Sequence, residues 1–246
     1  MSKELHMKEK IALNSLRPDL DGQPRRTEYE FSIGLRVAHW LRAISIVILV
    51  GTGFYLSYVF QSPISNGEPT NFMQAKYRFV HEVAGFILLS CILFKVYLFF
   101  FDRISHKERV SLKDTLNPKV WIEQLKFYLF IGKHPHLKGC YNPLQFATYT
   151  LFYAVMFGII ITGLTLYVHV YHDGLGGFLY GILRPIEAML GGLAEVRIYH
   201  RLLMWVVIVF VPIHIYMAVF NSLKGKDGSL DAIFSGYKYI RDDQRF

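Results

Sequence analysis

Four long apolar stretches dominate what this chain can become. They lie at about 37–59, 79–101, 145–168 and 198–220, each close to the roughly 20 residues that a helix needs to cross a bilayer. In hydrocarbon only a helix satisfies its own backbone donors and acceptors within one segment. The pattern predicts an all-α integral membrane protein, a four-transmembrane-helix bundle with short interfacial helices in its loops. A polar segment, 1–36, precedes the membrane domain, 37–220, and a polar tail, 221–246, follows it. The opening segment has no charged region leading into an apolar core and a cleavage site, so the first span is expected to act as the insertion signal.

Charge sets the expected orientation. The net charge is +8, and the lysines and arginines crowd into the segment before span one, the 102–143 loop and the tail. The positive-inside rule then places both termini and that loop on the cytoplasmic side of the membrane. Basic residues that border lipid and alternate with acids do not describe a nucleic-acid surface, so no nucleic-acid partner is expected. The stretch 174–192 is apolar enough to suggest a fifth span. It carries Arg184, Pro185 and Glu187 at its centre, however, and glycines at both ends, which fits a short interfacial or re-entrant helix better. In the 102–143 loop, Asn117 as a cap and Pro118 at the first helical position open another short helix. Its Trp121, Leu125, Tyr128 and Leu129 form an apolar stripe suited to the inner membrane surface. Cys91 falls in mid-span and Cys140 in a loop, with no CxxC or CxxCH in the chain. Protein-held iron–sulfur clusters and covalently attached haem are therefore unsupported.

Ionisable side chains in lipid call for a functional reason. On this topology His81 and His200 open inward-running spans near the outer face, whereas His39 and His214 sit near the inner face. His200 and His214 share span four. Their fourteen-residue separation corresponds to a rise of roughly 21 Å and an azimuthal difference of about 40° on an ideal helix. A single membrane histidine commonly serves as a hydrogen-bonding group between helices. Four that fall into two cross-helix pairs at matching depth instead suit the axial ligands of two haems b, held without covalent attachment. Zinc or copper fits less well, since only Glu82 stands near either pair as a third ligand.

Haem propionates require cations near the membrane faces. Arg36 and Arg42 bracket His39, and Arg78, Arg197 and Arg201 surround the outer pair. The competing role for each is anchoring at the headgroups. Gly51, Gly53 and Gly85 would leave room for a flat macrocycle or serve as ordinary helix contacts. Lys95 is expected to snorkel, and Cys91 to fill core space.

The motifs RVAHW (36–40), GTGF (51–54), RFVHEVAG (78–85), GKHPHLKGCYNPLQ (132–145), ITGL (161–164) and YHRLLMW (199–205), with His214 and Tyr216 beyond, occur in that order. Together they resemble the b-type cytochrome subunit of membrane-bound nickel–iron uptake hydrogenases, over all but the first thirty or so residues. Formate dehydrogenase cytochrome b subunits are similar. The resemblance implies partners, a hydrogenase small (iron–sulfur) subunit and large (nickel–iron) subunit outside the membrane. It also implies electron flow from an outer haem (His81, His200) to an inner haem (His39, His214) and on to a quinone, menaquinone or ubiquinone. The hydrogen-activating metal would lie on the partners. His136 and Asn142 are candidates for the quinone site, as an imidazole and an amide able to hydrogen-bond a carbonyl oxygen. Asn142-Pro143 is equally a helix-start signal. His172 is a candidate for the partner interface, and His6, His106, His134 and His169 are given no role.

Two rival functions remain open on sequence. One keeps the haems and changes the donor, as in a formate dehydrogenase cytochrome b or a free-standing cytochrome b561. The other is a haem-free transporter or anchor, against which the spans offer neither an evident inverted repeat nor paired acids.

Overall fold

The computed structural model describes residues 25–58, 72–129, 131, 137–225 and 228–241. Its elements are β1 (Arg25–Tyr29), α1 (Ile33–Tyr58), α2 (Met73–Phe101), α3 (His106–Thr115), α4 (Pro118–Tyr128), α5 (Pro143–Val168), α6 (Leu175–Met189), α7 (Leu193–Gly225), α8 (Ser229–Ser235) and β2 (Tyr237–Arg241). Among the described residues, α1, α2, α5 and the Leu193–Phe220 part of α7 are long and apolar enough to cross a membrane. These are the four expected spans. They run several residues past the apolar stretches, because a helix continues until its backbone meets a cap or a breaker rather than where hydropathy falls. The stretch 174–192 forms the single short helix α6.

The chain divides into two compact units. One comprises Val37–Tyr97 and Thr148–Ile213, the other Met1–Arg36, Leu98–Ala147 and His214–Phe246. The first is the body of the span bundle. Its core is Leu88, Ile92, Met156 and Val207, with Ile46, Leu49, Phe152, Val155, Ile160 and Val211 against it. Large apolar side chains such as Val47, Phe79, Leu151, Leu202 and Val209 are exposed, while Ser45, Thr52, Thr162 and Thr165 are buried. This inverted distribution is expected where lipid replaces water, because small polar residues gain by facing other helices. Each of those four hydroxyls donates to the carbonyl four residues earlier, at 2.7–2.9 Å, so none is left unpaired in the bundle.

The second unit gathers the three basic segments expected on one side of the membrane. Strands β1 and β2 pair antiparallel, with Arg25 opposite Arg241 and Tyr29 opposite Tyr237. Gly236, at φ +89°, closes α8 and accepts from the Glu30 and Phe31 amides. This ribbon was not expected from the sequence, and neither were α3 and α8. Helix α4 begins as predicted: the Asn117 side chain accepts from the Lys119 amide at 3.1 Å, with Pro118 following. Its apolar surface is divided in two. Val120, Gln124 and Phe127 are buried, whereas Ile122, Leu125 and Leu129 are exposed.

Gln124 is 1% exposed, and among the described residues neither its amide nitrogen nor its oxygen has a hydrogen-bond partner. Burying such a group unpaired costs about 1–3 kcal/mol. Gln124→Leu, nearly equal in volume, is expected to stabilise the protein by about 1 kcal/mol, read as a higher thermal midpoint in detergent. A lower midpoint would mean that the amide has a partner in solution.

Candidate functional site

The span-bundle unit contains a half-open cavity of about 510 Å³, in the size range of a cofactor site and far larger than a packing defect. Its walls are mostly aliphatic. His81 of α2 and His200 of α7 line it, together with Gly53, Gly85, Gly163, Met156 and Met204. The imidazole centroids of His81 and His200 are 6.3 Å apart, and the rings are crossed at 68°. A metal–imidazole bond of about 2.0 Å on each side, plus roughly 1.1 Å from each nitrogen to its ring centre, separates two axial imidazoles by about 6.2 Å. The pair therefore fits a six-coordinate iron between the rings.

The protonation of the two rings follows from their neighbours. Oγ1 of Thr52 lies 2.8 Å from Nδ1 of His81 and 2.7 Å from the carbonyl oxygen of Ile48. A carbonyl only accepts, so the one hydroxyl proton goes to Ile48 and the hydroxyl oxygen accepts from Nδ1–H. Across the cavity, Oγ1 of Thr162 lies 2.9 Å from Nδ1 of His200 and 2.9 Å from the Gly158 carbonyl. Both imidazoles thus carry their proton on Nδ1 and keep the Nε2 lone pair, the tautomer that binds iron through Nε2. A Cβ at Gly163 would approach the His200 ring to 3.2 Å, and one at Gly53 the His81 ring to 3.4 Å. Gly53, read from the sequence as room for the macrocycle, thus makes room for the His81 imidazole, and Gly163 does the same for His200. Gly85 lines the cavity, and a Cβ at Gly51 would meet nothing within 4 Å.

Of the five arginines considered for propionates, Arg78, Arg197 and Arg201 line this cavity. The Arg201 guanidinium also lies over the Tyr58 ring, 5.6 Å from its centroid. Arg36 instead donates to the Phe234 carbonyl in α8. Arg42 donates to the Tyr153 hydroxyl at 2.5 Å and has a second nitrogen 3.4 Å from Nδ1 of His39. His39 belongs to the span-bundle unit and His214 to the other. His214 follows Pro212, which interrupts the hydrogen-bond ladder of α7 between the two histidines of that helix, and the ideal azimuth used above ignores this interruption.

Of the two quinone candidates, one is among the described residues. His136 lies outside the described residues. Asn142 is buried and caps α5. Its Oδ1 accepts from the Gln145 amide at 2.9 Å, the Gln145 side chain accepts from the Asn142 amide at 3.2 Å, and its Nδ2 donates to the Tyr128 hydroxyl at 3.1 Å. This is a reciprocal capping box, and both polar atoms of the side chain are engaged within the protein.

Sequence reasoning passed over Thr52 and Thr162, although a Thr-Gly pair recurs in GTGF and ITGL and was the available signal. It also gave no role to His169, whose Nε2 lies 2.5 Å from the Glu187 carboxylate. Arg184, on the same helix, donates to that carboxylate at 3.0–3.1 Å, so it is the His169 bond that ties α6 to the end of α5. The His169 hydrogen bond, with help from Arg184, holds the Glu187 carboxyl below its ordinary value. A carboxylate with a lowered folded-state pKa stabilises above its unfolded value and loses that contribution as pH falls through the folded one. As pH falls from about 5 to about 3, the thermal midpoint of the wild type is therefore expected to fall towards that of Glu187→Gln. Parallel pH profiles would show that the carboxylate contributes nothing to stability.

Residues 30–236 match the family model described as prokaryotic cytochrome b561. The chain is 28% identical to a probable Ni/Fe-hydrogenase B-type cytochrome subunit of Rhizobium leguminosarum bv. viciae, covering 89% of this chain and 91% of that one. It is 30% identical to a protein of the same description from Azotobacter vinelandii, over 88% and 90% of the two chains. It is 26% identical to the probable Ni/Fe-hydrogenase 1 B-type cytochrome subunit of Escherichia coli K12, over 86% and 91%. The match runs from the start of α1 to the end of α8 and includes the paired imidazoles, their threonines and the cavity. The chain belongs to the prokaryotic cytochrome b561 family, as a multi-pass b-type cytochrome of a bacterial inner membrane.

Proposed function

We propose that this protein is the di-haem cytochrome b that anchors a nickel–iron hydrogenase to the membrane and carries its electrons to quinone. One observation carries the reading: two iron-binding imidazole tautomers, opposed at 6.3 Å across an apolar cavity inside a four-span bundle. The donor assignment rests on the relatives, whose names specify Ni/Fe-hydrogenase. The second haem, on His39 and His214, rests on their depth in the spans, and the outward-facing hydrogenase rests on the positive-inside rule.

When bound, haem supplies a reversible one-electron couple. The chain contributes the rest. His81 and His200 hold the iron from two helices, and the aliphatic walls keep water away from it. Arg78, Arg197 and Arg201 would neutralise propionates at the cavity margin, with Arg42 doing so beside His39. Oxidation of hydrogen on the partner releases two electrons and two protons, and reduction of a quinone to quinol consumes the same number of each. The proposed quinone site lies on the cytoplasmic side near the start of α5. There His136 would hydrogen-bond a carbonyl oxygen and pass it a proton, with Asn142 fixing the helix start beside it.

The test uses anaerobic membranes containing this protein with its co-expressed partners, with the b-haem absorption recorded after hydrogen, formate and dithionite in turn. Rapid reduction by hydrogen, reversed by a quinone analogue, is the expected result. Reduction by formate alone would keep the cytochrome and replace its donor. No b-haem signal even with dithionite would overturn the reading.

A further inference from the structure

The outer site is built from the same device used twice. On α1, Thr52-Gly53 faces His81 of α2; on α5, Thr162-Gly163 faces His200 of α7. In each half the threonine proton is tied to its own helix, so the hydroxyl oxygen is aimed at Nδ1–H. In each half the glycine lets the ring lie close to the helix that carries the threonine. The two hydroxyls come from helices that supply no ligand to this site, so each imidazole is gripped from outside its own helix. Rotation about Cβ–Cγ, which would swing Nε2 away from the cavity, costs that hydrogen bond.

We propose that Thr52 and Thr162 are positioning residues for the outer haem, fixing the tautomer and ring plane of its two axial ligands and setting their donor strength. This rests on the haem assignment made above. An acceptor on Nδ1–H makes Nε2 more basic, and a more basic ligand favours the ferric state. The hydroxyls therefore keep the outer potential lower than unassisted imidazoles would, and their crossed planes at 68° give the ferric form a highly anisotropic low-spin resonance.

Thr52→Val and Thr162→Val preserve shape and remove the hydroxyl, and Thr→Ser at each position restores it. The measurements are a redox titration of the b-haem bands and a low-temperature EPR spectrum, made on the full complex in membranes. Each valine variant is expected to shift the ferric/ferrous equilibrium of the outer haem about tenfold towards ferrous, or about 59 mV for one electron. Its EPR signal should move, the inner haem should stay unchanged, and serine should return both values. Loss of the outer haem in the valine variant with retention in serine supports the same role. Unchanged potential and EPR signal at full haem content would overturn it, as would serine behaving like valine. A wild-type complex with no outer b-haem signal would remove the haem assignment itself, a failure visible before any variant is compared.

Discussion

Alanine in place of His200 is expected to remove the outer haem and, with it, hydrogen-dependent quinone reduction. The ligand is lost, and so is the partner of the Thr162 hydroxyl, which lies 2.9 Å from Nδ1. Outer-shell partners of metal-binding histidines typically cost 10–100-fold in affinity when removed, so loss of the ligand itself should exceed about 100-fold. On the di-haem reading proposed above, haem content per chain should fall by half, and hydrogen-driven reduction of a quinone analogue should fall to the background rate. His81→Ala should give the same result, because either imidazole alone leaves the iron with one axial ligand. The double variant should be no worse than either single one, since the two residues act as a unit. Wild-type haem content in both single variants would refute the assignment of this cavity.

The second large effect is expected in the other unit. Gly139→Ala should destabilise that unit by roughly 4 kcal/mol or more. A Cβ there would sit 2.1 Å from Oγ of Ser111 and 2.4 and 2.5 Å from its backbone nitrogen and Cα. The side chain could rotate away, but the α3 backbone cannot. Nor can the loop retreat cheaply. The Lys138 and Gly139 amides donate to Asp114 at 2.7 and 2.9 Å, and the Tyr141 amide donates to Ser111 at 3.1 Å. Scanning fluorimetry in detergent should show a large drop in midpoint. Gly181→Ala is the control: nothing lies within 4 Å of its Cβ, and a helical glycine gains up to about 1 kcal/mol on replacement by alanine. Equal midpoints for the two variants would mean that the loop packs differently on α3.

The spans, the short helix α6, the Asn117-Pro118 start of α4 and the gathering of basic segments were legible from the chain alone. Each depends on composition or on residues within a turn of one another, where backbone satisfaction in lipid and helix capping leave few alternatives. The pairing of His81 with His200 was legible for a related reason, since span direction and depth already place both near one face. What faces their Nδ1 atoms was not. Thr52 is 29 positions from His81, Thr162 is 38 from His200, and His169 is 18 from Glu187. Which hydroxyl meets which imidazole depends on how the helices are rotated against each other, and apolar spans carry almost no amphipathic signal to set that rotation. The β1–β2 ribbon is an extreme case, joining Arg25 to Arg241 across the whole chain. Local chemistry thus determined which segments are helices and which histidines are candidates. Only tertiary packing decided which side chains hold those imidazoles, because contacts across helices depend on rotation and distance that no local pattern encodes.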